Sequence, residues 1–217
     1  MLRKIRLTAA IVCFVLITLL FLDFTGTLHG WFGWLAKIQF LPAVLALNVG
    51  VVLFLVLLTL AFGRIYCSVI CPLGVFQDVI ARVGRRGKKL PYSYSPALSW
   101  LRYGILAVFI LALVAGIGSL VALLAPYSAY GRIANNLFQP LWMWGNNLLA
   151  YLAERVESYA FYEVDVWMKS LPTFLIALAT TVVLIVLAWR NGRTYCNTIC
   201  PVGTVLGFIS RFSLYRI

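Results

Sequence analysis

The chain has 217 residues, of which 63% are hydrophobic and only 11% are charged, and its formal net charge is +12. An average soluble domain has roughly 25% charged residues, so this composition excludes an ordinary soluble domain and favours a helical membrane protein with one bundle over residues 1–217. In so apolar a chain, orientation in a lipid bilayer explains the positive charge better than nucleic-acid binding, and we predict no nucleic-acid partner. His29 is the only histidine, which excludes a haem held between two histidines of this chain.

The first half begins with a short basic segment and contains two long apolar runs. Residues 7–22 can span a membrane, and we expect an uncleaved helix rather than a signal peptide because no small-x-small cleavage site follows. Residues 23–41 are rich in aromatic residues and glycine, which is typical of a loop or helix lying at the membrane interface. A second span is predicted from Pro42 to about Phe62.

The second half repeats this layout with a longer connection. A third span is predicted over residues 100–124, where Gly116 and Gly118 are small residues of the kind that let helices approach closely. Residues 125–170 contain several amide side chains that would be costly in hydrocarbon, so we expect interfacial helices there. The fourth span is predicted over residues 171–189.

The charges predict how these four spans are oriented. With a cytoplasmic N-terminus, Asp78 is the only one of the six acids on the cytoplasmic side, and that side holds all of the eighteen basic residues except four: Lys37, Arg132, Arg155 and Lys169. This distribution follows the positive-inside rule. We therefore predict an all-α membrane protein with four transmembrane helices as two parallel two-helix repeats, residues 1–90 and 95–217. Interfacial helices would lie on the outer side, and both termini would be cytoplasmic.

A twenty-residue segment follows the second span and recurs after the fourth. The copies begin at Gly63 and Gly192, read GRIYCSVICPLGVFQDVIAR and GRTYCNTICPVGTVLGFISR, and share ten of twenty positions. Each copy has two cysteines four residues apart, with a proline directly after the second. The four cysteines are Cys67, Cys71, Cys196 and Cys200.

The spacing of the cysteines is suited to metal ligation. If helix continues through Tyr66, Cys67 and Cys71 share one face about 6 Å apart along the axis. Pro72 would end the helix near Cys71, and Gly74 would permit an irregular turn. Four thiolates on the reducing side of a membrane suit an iron–sulfur cluster, with 4Fe-4S favoured, or zinc. We expect all four cysteines to converge at the cytoplasmic ends of the second and fourth spans.

Four further residues of the motifs are candidate cofactor-binding residues. Arg64 and Arg193 each precede the first cysteine of a copy by three residues and could offset the negative charge of a cluster, with a role as orientation charges as the alternative. Tyr66 and Tyr195 could relay electrons, although anchoring at the interface is the simpler interpretation. Cys13, in the first span, is expected only to pack.

The doubled GRxYCxxxCPxG motif resembles the membrane polyferredoxin proteins with paired CxxxCP motifs. These include the membrane subunit serving periplasmic nitrate reductase, the membrane flavoprotein that supports nitrous-oxide reductase, and the cytochrome-oxidase assembly ferredoxin. The layout is similar over nearly the whole chain, and the matching positions are Cys67, Cys71, Pro72, Cys196, Cys200 and Pro201.

The resemblance implies an electron-transfer component, rather than a stand-alone enzyme, in the inner membrane of a bacterium. Electrons would pass from quinol or a cytoplasmic donor toward a ferredoxin-type, flavin or cytochrome partner. Such relatives usually carry C-x-x-C-x-x-C cassettes after the second motif, where this sequence stops. We therefore expect either a longer protein or a partner that supplies those clusters.

Other functions remain open from the sequence. A quinone-linked thiol–disulfide oxidoreductase would also use four cysteines and four spans, although disulfides rarely persist on the reducing side. A transporter or structural subunit could use the cysteines for zinc. A quinone site is expected near residues 29–40, Trp142 and Trp144, where aromatic faces could wall an apolar head group, with an ordinary aromatic belt as the alternative.

Overall fold

The computed structural model describes residues 2–23, 26–84, 98–155, 162–166 and 170–215. Within these ranges the chain forms helices and no strand, which confirms the predicted all-α class for this part of the protein. In chain order the α-helices are α1 (Leu2–Leu22), α2 (Thr27–Phe32), α3 (Trp34–Lys37), α4 (Phe40–Leu45), α5 (Val49–Phe62), α6 (Pro72–Val83), α7 (Ser99–Val114), α8 (Gly118–Leu124), α9 (Pro126–Ile133), α10 (Gln139–Glu154), α11 (Leu171–Asn191), α12 (Thr194–Thr198) and α13 (Pro201–Ile209).

Two of these helices are long and apolar enough to cross a membrane, judged by length and composition. They are Lys4–Leu22 within α1 and Leu171–Arg190 within α11. Only 22% and 17% of their apolar windows are buried inside the protein, whereas a core helix of a soluble protein would be mostly buried. These exposed apolar surfaces suggest a membrane association. Two shorter apolar helices, α5 and α7, accompany them.

The second and third predicted spans are interrupted, which the sequence analysis did not expect. Between α4 and α5 the backbone of Leu47 is left-handed, with φ of 51°, and between α7 and α8 Gly116 has φ of 71°. A Cβ on Gly116 or Gly118 would meet no atom within 4 Å. The prediction that these glycines allow close helix packing is therefore wrong, because Gly116 instead supplies the backbone conformation of a helix break.

The long connection in the second half forms part of the core. α9 leads through a π-type turn, Ala134–Phe138, directly into α10. Tyr130 of α9 is completely buried, its hydroxyl shares a hydrogen bond of 2.6 Å with Thr18 of α1, and its ring centroid lies 6.1 Å from that of Phe76 in α6. The expectation of surface helices over this connection is therefore wrong for α9, which packs inside the bundle.

The two halves of the chain pack on each other in a reciprocal way. α6, which follows the first cysteine motif, packs on α1 and on α11, while α13, which follows the second motif, packs on α7 and on α5. Each motif helix thus lies between the first long helix of its own half and the last long helix of the other half. This exchange brings the two motifs to one region of the bundle.

Candidate metal centre

Each cysteine motif turns away from the helix that precedes it instead of extending that helix. α5 ends at Gly63, with φ of 70° and ψ of −139°, and α11 ends at Gly192, with φ of 73° and ψ of −115°. Side chains rarely allow this conformation, so both turns require glycine. The expected continuation of helix through Tyr66 is wrong, because a separate short turn, Tyr66–Ile70, begins after the bend.

The second cysteine of each motif lies at a bend between this short turn and the following helix. The backbone N–H of Cys71 donates to the carbonyl of Tyr66 at 2.9 Å, and that of Cys200 donates to Tyr195 at 3.0 Å. Both cysteines are extended, with ψ of 115° and 119°, as expected for a residue before proline. The predicted end of the helix near Cys71 is confirmed, and the two copies adopt the same local turn.

Gly74 and Gly203 allow the motif helices to touch the backbone of the first cysteines. A Cβ on Gly74 would lie 2.0 Å from the carbonyl oxygen of Cys67, and one on Gly203 would lie 2.2 Å from that of Cys196. The irregular turn expected at Gly74 is wrong, since this residue lies within α6. Glycine is required there for close packing, which holds each first cysteine against the start of the next helix.

The helix of the first motif, α6, packs along α1 and α11. Near the start of α6, Phe76 packs against Tyr130, which is hydrogen-bonded to Thr18 in the second half of α1. After the end of α6, a Cβ on Gly84 would lie 2.8 Å from the ring of Trp189 near the end of α11. α6 therefore runs from the buried Tyr130 toward the end of α11.

The four cysteines are buried and lie within electrostatic reach of one another. Their exposed fractions are 7% for Cys67, 2% for Cys71, 8% for Cys196 and 3% for Cys200. Burial raises the pKa of Cys67, Cys71 and Cys196 to about 12, because a buried thiolate loses its hydration, and it raises the pKa of Cys200 well above its usual value for the same reason. Negative charge on Cys196 also raises the pKa of Cys71, which lies in the other motif. The structure thus places the four cysteines within electrostatic reach of one another, and their convergence on one metal site stays a prediction.

Several N–H groups point at cysteine sulfurs. The side chain of Gln77 donates to Sγ of Cys196 at 3.2 Å, and the backbone N–H of Gly203 donates to Sγ of Cys200 at 3.3 Å. Gln77 is completely buried, and within the described part of the chain its Oε1 atom has no hydrogen-bond partner. Gln77 was not among the residues predicted from the sequence. The second copy has Leu206 at the matching position, so the amide in the first copy was a visible signal. Such bonds orient a thiolate and tune the metal it binds.

The two motif arginines lie near the thiols but have different partners. Arg193 forms a two-point ion pair with the carboxylate of Asp78 on α6. Arg64 instead donates to the side-chain oxygen of Asn197 at 3.0 Å. Both positive charges lower the pKa of Cys67, the effect expected of residues that offset the charge of thiolate ligands.

The two motif tyrosines are buried in the core. Tyr66 is 1% exposed, and its hydroxyl donates to Oε1 of Gln39 at 3.0 Å and accepts from the backbone N–H of Phe40 at 3.1 Å. Tyr195 is 6% exposed. Burial raises the pKa of both phenols. Their interpretation as interface anchors is therefore wrong, and Tyr66 instead ties the first motif to the segment that begins α4.

The aromatic residues predicted to form a quinone site do not line either of two cavities in the described part of the chain. An apolar cavity of about 330 Å³ lies between α4, α7 and α8, and a more polar one of about 440 Å³ lies beside α1, α9 and α11. Neither cavity is lined by residues 29–40, Trp142 or Trp144. His29 is exposed, and Cys13 is a half-buried free thiol in α1.

The described residues do not form a compact group of ligands around a single metal ion. Among the residues that the structure describes, no three His, Cys, Asp or Glu side chains are grouped so that they could hold a metal ion. Four zinc ligands converge on one ion at about 2.3 Å. A four-iron cluster bears one thiolate on each iron, so its cysteine sulfurs are held farther apart. Four cysteine ligands can serve either kind of site.

Comparison with known protein families also indicates an iron–sulfur site. A family model described as a 4Fe-4S binding domain matches the chain twice, at residues 44–91 and 172–216. Together the matches cover less than half of the chain. Each includes one complete cysteine motif and the helix before it, which is α5 in the first match and α11 without its first residue in the second. No curated protein and no solved structure matches. These matches support an iron–sulfur protein with a role in electron transfer.

Proposed function

We propose that this chain is a membrane electron-transfer module that holds one 4Fe-4S cluster through four cysteines, two from each motif. The ligands are Cys67, Cys71, Cys196 and Cys200. The carrying observation is that both family matches coincide with motifs whose buried thiols act electrostatically on each other across the two halves. When bound, such a cluster supplies one-electron transfer.

Each residue around the thiols has a definable part in this proposal. The burial of the four thiols excludes water from the ligands and from any cluster they hold. Arg64 and Arg193 place positive charge beside the ligands, and Gln77 donates to one sulfur. Positive charge and hydrogen bonds to sulfur favour the more reduced, more negative state of a cluster, whereas exclusion of water disfavours it.

The membrane arrangement is also a proposal. We place four crossings at α1, at α4 with α5, at α7 with α8, and at α11, with both termini in the cytoplasm of a bacterium and the protein in its inner membrane. Residues 1–90 and 95–217 would be the two repeats. The equal turns at the two motifs and the reciprocal packing of α6 and α13 support this arrangement. Quinol or a cytoplasmic protein would be the donor, and a ferredoxin-type, flavin or cytochrome protein the partner.

The thiol–disulfide alternative is less consistent with the site. Reactive redox cysteines have a lowered pKa and are accessible. Burial instead raises the pKa of Cys67, Cys71 and Cys196 to about 12. These are properties of ligands that become thiolates only when a metal replaces the proton.

Iron and acid-labile sulfide analysis of anaerobically purified protein tests the proposed ligands. We expect about four irons per chain in the wild type, because a 4Fe-4S cluster is held by four cysteines. Replacing one ligand in each motif, by Cys67→Ser with Cys196→Ser, should remove most of this iron. Cys13→Ser is the matched control and should retain it. Equal iron in the wild type and the double variant would reject the ligand assignment, and zinc in place of iron would identify a structural metal site.

A further inference from the structure

The arginines at the start of the two cysteine motifs, Arg64 and Arg193, have different partners. In the aligned copies Arg64 corresponds to Arg193, and Gly207 corresponds to Asp78. Arg193 is paired with Asp78, but Arg64 reaches a position where that carboxylate is missing. A Cβ on Gly207 would lie 2.8 Å from Nη2 of Arg64. This second cross-bundle pair therefore keeps its guanidinium, from Arg64 of the first half, and lacks the counter-charge that the second half would supply at Gly207.

A second arginine reaches the same place from a different helix. Nη2 of Arg102, on α7, would lie 2.6 Å from a Cβ on Gly207, and it donates to the carbonyl of Thr204 at 3.1 Å. Nε of Arg102 is buried and has no hydrogen-bond partner among the residues that the structure describes. The positive charges of Arg64 and Arg211 both act on Arg102, and within the described residues no carboxylate does. Guanidinium groups held together in this way repel each other unless an anion lies between them.

We propose that Arg64, Arg102 and Arg211 form a binding site for a phosphate group beside Gly207. Guanidinium groups match the oxygens of phosphate with paired N–H donors, and several of them can share one phosphate. The site goes beyond the iron–sulfur function and does not depend on a cluster being present.

The surroundings of this site favour a phospholipid head group as the source of the phosphate. Trp100, Phe208 and Phe212, which are close in sequence to the arginines and Gly207, are 90%, 57% and 70% exposed. The rings of Phe208 and Phe212 pack edge to face, 6.1 Å apart. Apolar side chains beside a basic pocket suit acyl chains next to an anionic head group. Free phosphate offers the same chemistry without the chains, so the experiment has to separate the two.

Gly207→Asp is the direct test, because it gives the second motif the carboxylate that the first motif already has. The three atoms nearest to an added Cβ are at the far ends of two flexible arginine side chains, which can move, so the fold should be retained. Gly207→Asn is the matched control, with nearly the same size and no charge. Arg102→Gln removes one guanidinium and provides a second variant in case Gly207→Asp does not fold.

Two assays, lipid retention and thermal unfolding, are made on the full chain in detergent. The iron content of every variant is measured as well. Native mass spectrometry compares retention of phosphatidylglycerol with that of phosphatidylcholine, and thermal unfolding is followed with inorganic phosphate against chloride at equal ionic strength. We expect the wild type to retain phosphatidylglycerol, with affinity about tenfold lower in Gly207→Asp and Arg102→Gln and little changed in Gly207→Asn. Iron content should not change.

The outcomes distinguish the two sources of phosphate and the failure of the proposal. If phosphate raises the unfolding temperature of the wild type but not of Gly207→Asp, while lipid retention is equal, free phosphate is the ligand. If wild type and Gly207→Asp behave alike in both assays, the site does not exist. An equal loss in Gly207→Asn and Gly207→Asp would also overturn the proposal, because size and not charge would be responsible.

Discussion

Replacing Gly74 by alanine tests whether close packing at the start of α6 holds the first cysteine in place. The new Cβ would lie 2.0 Å from the carbonyl oxygen and 3.1 Å from the carbonyl carbon of Cys67. Non-bonded carbon atoms prefer a separation of about 3.5–4.0 Å, so the two segments must move apart by more than about 1 Å. The obstacle is backbone within a buried turn, which cannot rotate away as a side chain can.

The expected loss of stability follows from this geometry. Overpacking a well-packed interior costs about 1–3 kcal/mol, occasionally more, and a clash between backbone segments belongs at the upper end, near about 3 kcal/mol. In a chain of this size each kcal/mol changes the unfolding temperature by about 2–4 °C, so we expect a decrease of about 6–12 °C. Iron content should fall as well, since α6 also carries Gln77 to the sulfur of Cys196. Gly203→Ala should behave in the same way, because its Cβ would lie 2.2 Å from the carbonyl of Cys196.

The assay is thermal unfolding in detergent, followed by circular dichroism, with iron measured on the same preparations. Gly104→Ala in α7 and Gly145→Ala in α10 are matched controls, because a Cβ at either position would meet no atom within 4 Å. Helix propensity predicts that these controls are neutral or gain up to about 1 kcal/mol. The reasoning is refuted if Gly74→Ala unfolds within about 2 °C of the wild type and keeps its iron.

Three further predictions concern the site and its orientation. Gln77→Leu, which copies the residue at the matching position of the second motif, should lower the cluster potential by about 40 mV if the lost N–H···S bond stabilises the reduced cluster by about 1 kcal/mol more than the oxidised one. An unchanged potential in a redox titration would count against that bond. In the metal-free protein the buried thiols of Cys67, Cys71 and Cys196 have their pKa raised from 9.0 to about 12, so their contribution to stability is fully present below pH 9 and should be lost as pH rises toward 12. A serine variant of these cysteines should not show that loss in the same denaturation series. Reporter fusions at Gly87 and Ser158, both outside the described residues, should report the cytoplasm and the outer side respectively, and one location for both would exclude the proposed topology.

Most of the candidate site could be predicted from the repeated motif. Pro72, directly after Cys71, predicted that helix would end near Cys71, and the structure shows extended backbone there. The copies share ten of twenty positions, and both form the same backbone hydrogen bond at their second cysteine. These features depend on residues close in sequence, so a single sequence is enough to infer them.

Features that depend on distant contacts were not predicted. The role of Gly74 requires knowing that the carbonyl of Cys67 lies above it, and the helix break at Leu47 has no glycine or proline to mark it. The amides of the long connection were expected to keep it out of the bundle. Asn136, however, donates to the carbonyl of Arg132 at 2.9 Å, so its burial leaves that N–H group satisfied.

The packing of α6 on α11 has a consequence for biosynthesis. A ribosome adds about 5–20 residues per second, so several seconds separate the synthesis of α6 from that of its partner near the end of the chain. During that interval Cys67 and Cys71 have neither the cover of α11 nor the second pair of thiols. A cluster bound by all four cysteines can therefore be inserted only after the last helix has been made, and a ribosome that stops early releases a chain with two unprotected thiols.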